Sequence, residues 1–164
     1  MKTRISLLSG LLFLGLLFTL SRQAVPQDVA KGAELKVQLH YSGSSTVDEK
    51  HKIFVALWDS PAFATSDAIP VAVESVTSKN GVATFSGVKT NPAYVSAAFD
   101  PTGQWEGKTG PPPEGSILAM YSKTPGEPAP IAASPGKVAS VDLPFDDSVR
   151  MRGGKISRLV SPAH

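Results

Sequence analysis

Residues 34–41 (ELKVQLHY) alternate apolar and polar positions, with Leu35, Val37, Leu39 and Tyr41 on one side and Lys36, Gln38 and His40 on the other. This two-residue period predicts a strand with one face in a core and one in water. Residues 53–58 (IFVALW) are apolar at every position. That pattern predicts a central strand whose second face, carrying Phe54 and Trp58, needs cover from a loop or a neighbour. Shorter runs at 69–76, 82–85, 94–99, 117–121 and 137–143 bring the expected strands to about seven.

Turn-forming residues punctuate these runs at Asp59-Ser60-Pro61, Asn80-Gly81, Asn91-Pro92, Asp100-Pro101-Thr102-Gly103 and Ser134-Pro135-Gly136. Asn80-Gly81 is the strongest hairpin signal among them. After the N-terminal segment no stretch sustains helical periodicity, and 14 prolines with 14 glycines would interrupt one. The pattern predicts an all-β chain, an antiparallel β-sandwich of prealbumin-like or immunoglobulin-like type, with a closed barrel as the alternative. The Pro-rich stretches 107–115 and 123–130 are long enough to be functional loops or merely tolerated ones. From residue 149 (VRMRGGKISRLVSPAH) the pattern fades into what is expected to be a basic flexible tail. The domain is therefore expected over 34–148, after a linker at 25–33.

The N-terminal segment carries Lys2 and Arg4 and then the apolar run 5–20 (ISLLSGLLFLGLLFTL). This is the charge-then-apolar order of a signal peptide, here placed at 1–24 as a signal helix ahead of the domain. The run is shorter than the ~20 apolar residues a spanning helix prefers. Thr19 and Ser21 supply small residues for cleavage, whereas a cut after Ala24 places Arg22 three residues before the scissile bond. A retained membrane anchor is the alternative. The expected location is periplasmic or secreted.

Composition then removes whole classes of chemistry. The 164-residue chain has no cysteine, so disulfides, thiolate metal sites, thiol nucleophiles and N-terminal lipidation on cysteine are all excluded. The formal charge of +2 owes much to the leader. Residues 25–148 hold nine lysines, no arginine and 14 acidic residues, a formal charge of −5, whereas Arg150, Arg152, Lys155 and Arg158 follow. Neither part pairs a basic stripe with stacking aromatics, so nucleic acid is not an expected partner. Spaced basic residues of this kind attract anionic lipid only weakly.

Two stretches, NGVATFSGV at 80–88 and PAYVSAAFDPTGQW at 92–105, carry a resemblance. They resemble the bacterial secreted relatives of the carboxypeptidase-regulatory-like, transthyretin-like β-sandwiches, over residues 34–105. The resemblance implies that 82–85 forms a hairpin with a Tyr-bearing strand at 94–99, which ends in an Asp-x-x-Gly turn at Asp100. Two departures stand out. Asn91-Pro92-Ala93 replaces the family's Pro-Gly, and Gln104-Trp105-Glu106 replaces its Asn/Asp-rich continuation, the part on which an ion site would draw. Some transthyretin-like sandwiches are hydrolases built on His, Arg and Ser, and their motifs have no match here.

Three groups of residues are candidates for function. Asp100, Asp146 and Asp147 would hold Ca²⁺ if the two regions meet, since this ion takes six to eight oxygen ligands; otherwise Asp100 organises a turn and no cofactor is expected. His40 and His51 lie on a polar strand face and in a charged connector, with no nucleophile elbow or zinc spacing beside them. Trp58, Trp105 and Tyr121 stand at strand-to-loop junctions, as core caps or as an aromatic platform for sugar rings or a Pro-rich peptide. The expected function is an exported, non-enzymatic interaction or accessory module, its contact surface in the loops after Trp58, Phe99 and Tyr121. Its partner would be an envelope or extracellular protein or polysaccharide. A carbohydrate- or Ca²⁺-binding module and a transthyretin-like hydrolase are the alternatives.

Overall fold

The computed structural model describes residues 32–64, 68–108, 110–153 and 155–158. The signal segment and most of the linker lie outside them. Strands occur where the alternating and apolar runs predict them: β1 (Ala33–Tyr41), β2 (Ile53–Trp58), β3 (Ala72–Val76), β4 (Val82–Val88), β5 (Tyr94–Phe99), β6 (Ile117–Met120) and β7 (Val138–Phe145). A 3-10 turn follows β2 at Pro61–Ala64. The strands form two sheets, β4-β1-β7 and β3-β2-β5-β6, the latter extended by two further strands described below. The fold is all-β and sandwich-like, not one sheet closed on itself.

The inward positions of both sheets make one core. Leu35, Val37, Leu39 and Tyr41 of β1 share it with Ile53, Val55 and Leu57 of β2, Phe85 of β4, Val95 and Phe99 of β5, Ile117 of β6 and Leu143 of β7. Burying one such aliphatic side chain contributes about 1.5–3 kcal/mol, so packing alone holds a chain without disulfides. Ile131 and Ala133, from the connection between β6 and β7, close one side of this core.

Four expectations are corrected. Asn80-Gly81 does not join a hairpin, because β3 pairs with β2 in one sheet while β4 pairs with β1 in the other. The turn instead donates Gly81 N to Ser78 O (3.2 Å) and accepts from β1, with Leu39 N on Gly81 O (2.9 Å) and Tyr41 N on Lys79 O (3.0 Å). Residues 77–81 cross between layers about 10 Å apart, a distance a chain of that length spans easily. For the same reason the hairpin implied between 82–85 and 94–99 is absent: β4 and β5 belong to different sheets. Nor is the sandwich wholly antiparallel, since β1 and β7 pair in parallel from Glu34↔Val138 to Tyr41↔Phe145. The long, Pro-rich connection after β6 returns the chain to the end where β1 starts, the kind of crossover a parallel pair requires.

The fourth correction concerns the expected tail. Val149–Arg152 forms β8 and Lys155–Arg158 forms β9, paired in register from Val149↔Arg158 to Arg152↔Lys155. β8 joins β6 through Gly115 N to Met151 O and Met151 N to Ser116 O, both 2.9 Å. The overlooked signal is the Gly153-Gly154 pair between two short runs, a two-residue hairpin composition; Gly153 takes φ 52°, which residues with a side chain rarely adopt.

Candidate functional site

The two sheets differ on the faces they turn away from the core. On β4-β1-β7 that face is mostly polar: Glu34, Lys36, Gln38 and His40 of β1 lie beside Thr84 of β4 and Ser140 and Asp142 of β7, with Val82 and Val138 exposed among them. Lys36 forms an ion pair with Glu34 along β1 (3.2 Å), and His40 Nε2 lies within hydrogen-bond distance of Asp142 Oδ1 on β7 (3.0 Å). On the larger sheet the same face is largely apolar. Trp58 stands opposite Tyr94; Ala56 lies between Val73 and Ser96, with Met120 beyond; Phe54 is followed across the sheet by Ala98 and Leu118. Val73, 39% exposed, carries this surface onto the edge strand β3.

The aromatic residues at its two ends are held by neighbours of the same chain. Trp58 stacks on Phe63 of the 3-10 turn, with ring centroids 4.9 Å apart, and donates its indole N–H to Ser96 Oγ at 2.9 Å. Trp105 meets Phe54 edge-on at 5.0 Å. Gly107 lies against the same Phe54 ring, where a Cβ would overlap it. The cover expected for Phe54 and Trp58 thus comes from the loops after β5 and β2. A sugar ring would need a free indole face, and Phe63 already occupies one of Trp58.

Trp58, Trp105 and Tyr121 do not converge. Trp58 and Trp105 share the outer face at opposite ends of β2, roughly 13 Å apart at 3.3 Å per residue. Tyr121 follows β6 on the inward side and packs against the core. There it lines a cleft of about 320 Å³ between the β6–β7 connection and β7. A second cleft, of about 640 Å³, opens on the other side of the sandwich between β3 and β4, with Leu57 and Phe85 inside and Asp59, Glu74 and Lys89 among its lining.

Asp100 is buried, with 4% of its surface exposed, directly after β5. Its Oδ1 accepts from Thr102 N (2.9 Å) and Thr102 Oγ1 (2.8 Å), and its Oδ2 from Gln104 N (3.1 Å) and Trp105 N (3.0 Å). Burial pushes its carboxyl pKa up, but the Thr102, Trp105 and Gln104 hydrogen bonds outweigh burial and hold it below the usual value. The carboxylate folds the loop that carries Trp105 onto Phe54.

Asp147 has a comparable place at the far end of β7. It accepts from the Tyr41 hydroxyl, from Ser44 N (3.2 Å) and Ser44 Oγ (3.1 Å), and faces Arg150 at 3.8 Å. Burial works against its ionisation, yet the Tyr41 and Ser44 hydrogen bonds and the Arg150 charge leave its pKa lowered. Burial first, then the bond to Asp147, raises the Tyr41 hydroxyl. Tyr41 also packs on Phe99 and Phe145 at 5.3 and 5.0 Å. Arg150 in turn donates to Gly115 O at 2.8 Å, which ties β8 to the loop before β6. Asp146 caps the adjacent turn by accepting from Ser148 N at 2.8 Å.

Among the described residues no three His, Cys, Asp or Glu side chains gather as a metal-ligating group, so Asp100 is not brought together with Asp146 and Asp147. His40 contacts Asp142, and His51 contacts Asp48 at 2.8 Å on its own connector. The sequence reading missed the roles of Tyr41 and Asp147. Tyr41 continues the inward phase of β1, and its buried hydroxyl needs a partner, a signal that was legible. The partner, 106 positions away, was not. Comparison with protein families, with curated proteins and with solved structures finds no match to this chain.

Proposed function

We propose that the chain acts outside the cytoplasm as a non-enzymatic interaction or accessory module, and that the outer face of the larger sheet is its contact surface. The observation that carries this reading is the asymmetry of the two outer faces. One carries the charged and polar residues of β1, β4 and β7 with Val82 and Val138 exposed on its flanking strands; the other is largely apolar across β3, β2, β5 and β6 and reaches Val73, 39% exposed on the edge strand. Extended apolar surface of that kind marks interaction sites on proteins. His40 and His51, the histidines among the described residues, have no nucleophile elbow or zinc spacing beside them in the sequence, which supports the non-enzymatic reading. Export rests on the charged-then-apolar order of residues 1–24, and the transthyretin-like kinship on the motifs at 80–105.

A photo-crosslinking amino acid placed at Met120 or at Gln38 tests the contact surface in the cells that make the protein. Adducts from position 120 in the envelope fraction, with none from position 38, are the expected result. Equal adducts from both positions would remove the face as the contact surface. A hydrolase turnover abolished by H40A or H51A would remove the non-enzymatic reading.

A further inference from the structure

The edge strand β7 offers a binding site separate from the outer aromatic face. Successive residues of a strand direct their backbone N–H and C=O groups to opposite edges. Lys137 O accepts from Glu34 N at 2.9 Å and Phe145 O from Ser42 N at 3.0 Å, so the odd-numbered residues of this strand bond to β1. The N–H and C=O groups of Val138, Ser140 and Asp142 therefore face the open side, where the sheet ends. Pro144 follows in the same phase and, having no N–H, terminates the free edge.

This edge borders the cleft of about 320 Å³ whose opposite wall is Pro130, Ile131 and Ala132 and whose inner end holds Tyr121. Lys123 and Lys137 are its only charged lining residues, and among the described residues neither makes an ion pair. The nearest acidic residues in the chain sequence are Glu127, on the connection, and Asp142, which His40 engages. The cleft between β3 and β4 lacks this one-signed character, with Asp59, Glu74 and Lys89 all along it.

We propose that the free edge of β7 takes up an extended, acidic peptide segment of a partner protein as an added strand, its backbone pairing with Val138, Ser140 and Asp142 and its carboxylates meeting Lys123 and Lys137. Strand addition takes affinity from main-chain hydrogen bonds and selectivity from the flanking side chains. The free backbone edge of β7 and the lysines without ion pairs among the described residues supply those two components here.

Fluorescence anisotropy of a labelled eight-residue peptide of alternating Val and Glu, titrated with the full chain at low ionic strength, tests the proposal against a Val-Lys peptide of the same length. The Val-Glu peptide is expected to bind and the Val-Lys peptide not to. S140P removes one edge N–H at a position in phase with Pro144, so it should keep the parent melting temperature yet weaken binding at least about tenfold, the effect of one lost main-chain hydrogen bond. The double variant K123E/K137E should abolish binding of the Val-Glu peptide. Hydrogen exchange on the unaltered chain provides a readout that needs no variant: the peptide should slow the amides of Val138, Ser140 and Asp142. Failure of the Val-Glu peptide to bind, or binding to S140P as tight as to the parent, would overturn the proposal. So would protection of β3 in place of β7. None of these outcomes bears on crosslinking from Met120, so the two readings stand or fall separately.

Discussion

Replacing Asp100 by asparagine changes one oxygen for an NH₂ group and nothing else in shape. In the structure both carboxylate oxygens are acceptors, Oδ1 for Thr102 N and Oδ2 for Gln104 N and Trp105 N. An asparagine amide must turn its NH₂ toward one set or the other, so a donor faces a donor in either orientation. Hydrogen bonds to a charged acceptor contribute about 1.5–3 kcal/mol, and a buried donor left without a partner costs a similar amount. Two such losses, partly relieved by water at the exposed Gln104, predict a destabilisation of about 3 kcal/mol. In thermal melts this is a drop on the order of 10 °C. The pH dependence has a definite sign. The Asp100 pKa is lowered by folding, so its contribution is complete above the unfolded carboxylate value, about pH 4, and is lost as pH falls through the lower folded value. The gap between parent and D100N should therefore be full at pH 7 and narrow at pH 3, measured by urea denaturation followed by circular dichroism. A D100N chain within about 0.5 kcal/mol of the parent at pH 7, or a gap that ignores pH, would refute the role given to this carboxylate.

Other expectations follow from the same contacts. Y41F removes the hydroxyl that Asp147 accepts and should cost about 1–2 kcal/mol in urea denaturation, with the Asp147 pKa rising toward its usual value in an NMR titration. F54A takes away the ring on which Trp105 rests; about 2 kcal/mol of stability should be lost, with a red shift of tryptophan emission as the indole meets water. Ser116 is buried and its hydroxyl finds no partner among the described residues, so S116A should leave stability unchanged or raise it by up to about 1 kcal/mol, whereas a loss of that size would mean the hydroxyl is bonded. Millimolar Ca²⁺ should not move the melting temperature, because Asp100 and Asp147 already accept from donors within the chain; a clear rise would reinstate a Ca²⁺ site.

The alternation of 34–41 and the apolar run of 53–58 determined, without any structure, that this chain builds strands and which side of each enters a core. That legibility is local: a two-residue period selects a face whatever the strand's neighbours are. The requirement that Phe54 and Trp58 be covered was equally legible, because large apolar side chains on a second face need a partner. Which residues meet that need was decided by tertiary structure. Trp105 reaches Phe54 only because Asp100 gathers the backbone N–H groups of the intervening loop, and Phe63 reaches Trp58 from a turn that no periodicity marks. Sheet membership was likewise undetermined by pattern. Asn80-Gly81 has the composition of a hairpin, yet composition specifies only that the chain turns, not whether the next strand pairs with the last or crosses to the facing layer. The parallel union of β1 with β7 and the Tyr41–Asp147 bond join distant parts of the chain. Such contacts depend on how whole layers stack, and a short sequence window carries no term for that.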